Sequence, residues 1–342
     1  MMFLSRMRED TKKALTVTSD DLLKEKIVIF SDIHRGDGGK KDHFKDNEDI
    51  YINALDYYLK KNFNLVLAGD IEEGWGYGHR MEAVIQCYRN TALKKESEFH
   101  KKNQYYRLYG NHDDYWLKQE NVDNFLRPAL GNKGIKVYPA IFFKDNQNTL
   151  LVIHGCQGHP LHDVGDVLAK EVVKTNYGTH YEDPPKPYEG KRIDYQTRLR
   201  RQEIYLLEWA MKRGVVMVGA HSHMPYFRSS PVFNFIDKEI KKIKASKTLT
   251  PLEKETNNDY FKKVKEDARI PFRKRYQKLI NNPPPVYFNS GCCTGADMMT
   301  VIEIDKGIIR LVEWNPKGRT TKNLDKLESI FNVAQKIKTK RI

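Results

Sequence analysis

The feature that most constrains this chain is a repeated punctuation: short apolar runs that stop abruptly at residues able to bind metal. The run at 26–30 gives way to Asp32 and His34, and Asn64–Ala68 gives way to Gly69-Asp70. The run at 104–109 ends in Gly110-Asn111-His112-Asp113, 150–153 in His154-Gly155, and 215–218 in Gly219-Ala220-His221-Ser222-His223. Apart from 104–109, which carries Gln104 and Arg107, these runs are almost wholly apolar, the signature of strands buried on both faces. Helical periodicity fills the intervals, at 47–61 (Ile50, Ala54, Leu55, Tyr58 and Leu59 on one face), at about 80–100 and at about 195–212. Strand, loop and helix in alternation specify an α/β fold. In such sheets the loops beyond the carboxyl ends of the strands gather along one rim.

Other segments organise around that core. Runs at 136–143, 286–288, 299–305 and 308–314 read as further strands, the last two joined by a Lys306-Gly307 turn. Residues 1–25 read as an N-terminal extension, and 26–225 with 286–316 as the core, including a charged helical segment at about 160–214. Residues 226–285, closed by Pro283-Pro284-Pro285, read as a basic, largely helical insertion or cap, and 317–342 as a basic, helical tail. No run approaches the roughly 18 apolar residues of a membrane span, and the first residues lack the apolar stretch of a secretory signal. The four cysteines, Cys87, Cys156, Cys292 and Cys293, form no spaced framework. Reduced thiols in a cytoplasmic protein are the expectation.

The rim residues specify a kind of chemistry. Carboxylate, imidazole and amide donors without a thiolate set suit Mn2+, Fe, Zn2+ or Ni2+ in a reactive site rather than a structural zinc. Asp32, His34, Asp70, Asn111, His154, His221 and His223 are too many for one catalytic ion and match two ions sharing a carboxylate. Such ions lie roughly 3.5–4 Å apart in phosphatases and nucleases.

Together, Asp32-Ile33-His34, Gly69-Asp70-Ile71-Glu72-Glu73, Gly110-Asn111-His112-Asp113, Ile153-His154-Gly155 and Ala220-His221-Ser222-His223 resemble the five ordered motifs of the calcineurin-like metallophosphoesterase family. The resemblance covers 26–223 and the closing strands around Asn289-Ser290-Gly291. It implies a four-layer α-β-β-α sandwich and a binuclear centre. Asp32, His34 and His223 would hold one ion, Asn111, His154 and His221 the other, and Asp70 would bridge them. A bridging water with its pKa lowered by the metals would then attack a phosphate mono- or diester as hydroxide. His112 would be the general acid, with Asp113 orienting its ring. Two positions depart from the family pattern. Glu73 stands where Asp is usual, although the longer carboxylate can still accept a hydrogen bond behind the ligands. Ala220 stands where Gly is usual, which matters only if that residue needs positive φ.

Substrate is less sharply written. Trp75 and Arg80 flank a Gly-rich stretch, Gly74 to Gly78, after the second motif. The stretch either stacks a base and grips a phosphate or merely turns tightly. Trp75 and the Asn-Ser-Gly and Glu-Trp closing strands distantly resemble the branch that cleaves UDP-diacylglucosamine, although that branch commonly has Arg in the place of His112. His159, His162, Asp163 and Asp166 follow the fourth motif and read either as a polar loop or as site lining. The chain carries a net +14, and residues 181–285 hold 23 Lys and Arg against 13 Asp and Glu. Part of this charge is Arg192, Arg198, Arg200 and Arg201. Such a surface attracts phosphorylated small molecules first, and also nucleic acid or anionic lipid. The expectations are therefore a phosphoesterase, a nuclease of the same catalytic class, or a non-catalytic metal-stabilised scaffold, in that order.

Overall fold

A computed structural model of the chain describes residues 2–40, 42–75, 81–157, 190–229, 283–295 and 297–339, with isolated residues between 241 and 255; for 190–201 it describes the backbone alone. The fold is mixed α/β with two mixed sheets. Five strands form one sheet: β1 (Leu15–Thr18), β5 (Ala140–Lys144), β6 (Thr149–Ile153), β7 (Val216–Gly219) and β8 (Tyr287–Asn289), in that order across it. Six form the other, in the order β11 (Gly318–Lys326), β10 (Ile308–Asn315), β9 (Met299–Asp305), β2 (Ile27–Phe30), β3 (Asn64–Ala68) and β4 (Tyr105–Leu108). β2, β3 and β4 run parallel, as do β6, β7 and β8, so the rim-bearing loops leave each group in a common direction.

Alternation of side chains explains why β2 and most of β3 are apolar on both faces. Ile27, Ile29, Val66, Ala68, Ile302 and Ile304 belong to a cluster shared with the five-stranded sheet. Their neighbours Val28, Phe30, Leu65, Leu67, Met299 and Val301 belong to a second cluster on the opposite face. Helices α2 (Glu48–Lys60), α3 (Met81–Tyr88) and α4 (Ala92–Lys101) cover that second face. Each large side chain buried there, Phe30 or Tyr58 for example, contributes on the order of 1.5–3 kcal/mol. Two long helices, α5 (Gly190–Arg213) and α6 (Leu327–Thr339), add Ile204, Leu206, Trp209, Ile330 and Phe331 to the first cluster.

Three expectations require correction. The N-terminal segment is no extension: after α1 (Met2–Lys12), β1 pairs in parallel with β5, Leu15 opposite Ile141. The basic tail begins as a strand, not a helix. Asn315 Oδ1 accepts the Lys317 amide at 2.9 Å, the chain reverses, and β11 pairs with β10 from Gly318 to Lys326. β11 lies at the sheet edge with most of its residues at least partly solvated, so its Lys- and Thr-rich composition is that of a protected edge rather than a core strand. Third, the helix expected over about 80–100 is two, because Thr91 adopts a non-helical backbone (φ −122°, ψ −99°) between them.

Arg80, His159, His162, Asp163, Asp166 and most of the basic insertion lie outside the described residues, as do the side chains of Arg192, Arg198, Arg200 and Arg201.

Candidate metal centre

All seven expected ligands stand at or just beyond the ends of parallel strands, in loops whose backbone is itself unusual. Asp32, His34, Asp70, His221 and His223 all have φ between 49° and 67°. Left-handed backbone is uncommon outside glycine, and such residues persist only where surrounding contacts over-determine them. Those contacts are present. Asp32 N–H donates to Gly69 O at 3.1 Å and His34 N–H to Asp70 O at 3.0 Å. The His221 amide donates to Asp32 Oδ2 at 3.1 Å and the His112 amide to Asp70 Oδ1 at 2.8 Å. Ala220 is not among the left-handed residues, so the missing glycine there costs the loop nothing.

Asp32, His34 and His223 bring one donor atom each within 4.8 Å of one another, and so do Asp70, His154 and His221. In the first group the Nε2 atoms of His34 and His223 are 3.0 Å apart and Asp32 Oδ1 lies 3.2 Å from His223 Nε2. In the second, Asp70 Oδ2 is 3.1 Å from His154 Nε2, and it is also 3.9 Å from His34 Nε2 in the first group. Asp70 therefore lies between the two. Two glycines permit this crowding. A Cβ on Gly69 (φ +91°) would meet His154 Nδ1 at 2.7 Å, and one on Gly110 would collide with Asp70 Oδ1.

Two further observations suit a cation. The Asn111 carboxamide is fully buried, yet neither its oxygen nor its nitrogen has a hydrogen-bond partner, and a buried polar group left so costs about 1–3 kcal/mol per atom. The imidazole tautomers are also set from behind. His154 donates Nδ1–H to Ala68 O at 3.0 Å and His34 donates Nδ1–H to Glu73 Oε2 at 2.9 Å, leaving each Nε2 aimed at the cluster. These buried groups could hold a metal ion.

The electrostatics follow from crowding. Burial would raise the carboxyl of Asp70, but His154 and His112 hold it well below the usual range. Asp32 is likewise opposed by burial and lowered by His223. Burial lowers His34. It would lower His154 too, but Asp70 carries that imidazole up to about 9.

His112 sits at the edge of both groups, its ring centroid 4.7 Å from that of His34. Its partner is not Asp113. Asp113 is fully buried and accepts backbone amides from Gly110 at 2.6 Å and Ile71 at 2.9 Å, so it shapes the loop and does not orient the ring. Glu73 performs that task, with both carboxylate oxygens 2.9 Å from His112 Nδ1. Against the lowering effect of burial, Glu73 and Asp70 raise His112 to about 9. Burial raises Asp113 to about 7, with Asp70 adding to the effect. Glu73 was legible in the sequence only as a longer carboxylate, and its reach to two imidazoles at once was not.

Trp75 also differs from expectation. Its ring lies against His112, 4.3 Å between centroids and tilted 22°, and the residue is 4% exposed. It packs the imidazole rather than forming an open shelf for a substrate base. On the other side of the rim, Ser222 Oγ donates to Glu203 Oε1 at 2.6 Å and Asn289 Nδ2 donates to Ala220 O at 2.8 Å, tying the His221–His223 turn to α5 and β8.

No protein-family model matches this chain, and no curated protein matches it either.

Proposed function

We propose that this protein is a metal-dependent phosphoesterase with a binuclear centre. One observation carries the reading: Asp70 Oδ2 lies 3.1 Å from His154 in its own group and 3.9 Å from His34 in the other, and a Glu73-held imidazole stands at their edge. Asp32, His34 and His223 would hold one ion, Asn111, His154 and His221 the second, with Asp70 common to both. Mixed O and N donors of this kind suit Mn2+, Fe, Zn2+ or Ni2+, and Mn2+ is the ion proposed. Such a pair supplies positive charge for the phosphoryl oxygens and a nucleophilic water near neutral pH. The two sheets with helices on the outer face of one support the four-layer sandwich, and the absence of a membrane-length apolar helix among the described residues is compatible with a cytoplasmic location.

The remaining chemistry belongs to side chains of the chain. His112 donates Nδ1–H to Glu73, whose charge favours the protonated ring and raises it in the metal-free protein, so the imidazolium would give its Nε2 proton to a leaving alkoxide. Trp75 excludes water from one face of that ring. His34 is bonded to the same carboxylate, but burial outweighs it and would keep the ring a neutral ligand. A phosphorylated small molecule is the proposed substrate class. The basic middle of the sequence supports a nuclease as the second reading.

The test is turnover of p-nitrophenyl phosphate, its bis ester and an unstructured DNA or RNA oligonucleotide with Mn2+, Ni2+ or Mg2+. Ester turnover that disappears in Asp70→Asn supports the first reading, and preferential cleavage of the oligonucleotide supports the second. No turnover with any metal, in protein that nevertheless binds Mn2+, leaves the scaffold.

A further inference from the structure

Beneath the rim lie four buried charges that none of the chemistry above uses. Arg35 follows His34, Glu72 stands two residues beyond Asp70, Glu96 belongs to α4 and Arg107 to β4; none is more than 1% exposed. Arg35 Nη2 donates to Glu96, and Arg107 Nη2 donates to Glu72. Tyr51 and Tyr105 each donate a hydroxyl to Glu96 at 2.9 Å, and Trp116 Nε1 donates to Glu72 Oε2 at 2.9 Å. Arg107 Nη1 closes the network on the Tyr105 oxygen at 3.2 Å, and Nη2 lies 4.0 Å from Asp113 Oδ2.

Burying four ions costs several kcal/mol each, and an apolar filling of the same volume is often at least as stable. What ion pairs offer over an apolar filling is direction, and direction is what this place needs. Asp113 binds the amides of Gly110 and Ile71, so it already joins the Asn111 loop to the Asp70 loop. Arg107 reaches the same two loops from the rigid strand below, through Glu72 on one and Asp113 on the other. Arg35 N–H donates to Ile71 O at 2.9 Å, which adds the His34 loop to the assembly.

We infer that Arg107 is a positioning residue whose buried guanidinium, paired with Glu72 and set against Asp113, fixes the Asp70 loop against the Asn111 loop so that carboxylate and amide face one point. The inference rests on reading this rim as a metal centre.

The experiment is a Mn2+ titration, free Mn2+ being followed by electron paramagnetic resonance, on wild type, Arg107→Lys, Arg107→Met and Arg107→Met/Glu72→Met. Tyr58→Leu serves as a control that loosens the core away from the rim. Arg107→Met is expected to weaken Mn2+ uptake by about tenfold or more, the scale for residues that orient ligands. The double variant should recover part of the melting temperature lost in Arg107→Met, because the Glu72 charge stranded there is gone, but not Mn2+ affinity. Arg107→Lys should fall between wild type and Arg107→Met, and Tyr58→Leu should melt early yet bind Mn2+ normally. Wild-type Mn2+ affinity in the double variant overturns the inference. If the Met variants do not fold, Arg107→Lys decides by the same titration, and unchanged affinity there overturns it too. If wild type itself takes up no Mn2+, the metal reading fails separately. A crystal structure of the double variant then decides the positioning role: an intact bond from the His112 amide to Asp70 Oδ1 overturns it, and a broken one upholds it.

Discussion

The Nε2 atoms of His34 and His223 lie 3.0 Å apart although 189 residues separate them in the chain. Two imidazole nitrogens each about 2.1 Å from one cation, and at right angles to each other there, would be about 3.0 Å apart. The spacing is compatible with a shared ion as well as with an N–H···N hydrogen bond.

Removing the common carboxylate should uncouple the two groups. In Asp70→Asn the amide keeps the shape but loses the charge that faces both His34 and His154. Ester hydrolysis should fall by about a thousandfold or more, a loss of about 4 kcal/mol in transition-state stabilisation. Steady-state turnover with saturating Mn2+, alongside circular dichroism to show the fold intact, measures it. Turnover within tenfold of wild type would contradict the shared role.

His112 and Glu73 should reveal themselves in the pH profile. Glu73 helps raise the metal-free imidazole to about 9, and in the loaded enzyme its carboxylate should still favour the protonated acid, which is lost as pH rises. Glu73→Gln removes the charge that holds the proton, so the alkaline limb of kcat should move to lower pH. His112→Ala should cost about 10²–10⁴-fold on esters with poor leaving groups and far less on activated ones. A pH–rate series with phenyl and p-nitrophenyl esters separates the two. An unmoved alkaline limb in Glu73→Gln would count against the pair.

Metal and proton should compete at His154. Its metal-free pKa is raised to about 9, above its ordinary 6.5, so its proton stabilises the fold fully below 6.5 and that contribution is lost as pH rises through about 9. The cation needs the same Nε2 bare. Mn2+ binding at pH 7 should thus release protons, and affinity should rise with pH by about tenfold per unit for each proton displaced. Calorimetric titrations in two buffers of different ionisation enthalpy count those protons; a heat that does not depend on the buffer rules the competition out.

Close approach at Gly110 should be unforgiving. A methyl group there runs into Asp70 Oδ1 and lies 2.7 Å from His154 Cδ2, so Gly110→Ala must displace one of two proposed ligands. The cost should be about 1–3 kcal/mol in stability together with weakened Mn2+ binding. Ala220→Gly, at a residue with no left-handed backbone, should change Mn2+ binding little. Thermal melts with and without Mn2+ compare the two, and equal behaviour would show that the crowding is relaxed in solution.

Much of this protein was legible one residue at a time. Each candidate ligand sits just after an apolar strand, and strand runs such as 27–30 and 64–68 are visible because both faces of β2 and β3 are buried. The edge strand β11 escaped notice for the opposite reason. A strand solvated along much of its length carries no apolar pattern, and only its pairing with β10 makes it a strand. β1 escaped because four residues, half of them solvated, are too short a pattern to stand out from a flanking segment.

Sequence alone marked the candidate side chains, each just past a strand end, but Asp32, His34 and Asp70 meet His154, His221 and His223 only because two separate sheets pack on one shared core. It could not determine who holds whom. Glu73 lies 39 residues from His112, and Arg35 lies 61 from Glu96, so their meeting depends on sheet register and on the length of one methylene. Asp113 is next to His112 in the chain, yet the turn aims its carboxylate at the backbone amides of Gly110 and Ile71. Hydrogen bonds act over about 3 Å and in one direction, and only the folded chain fixes positions that finely.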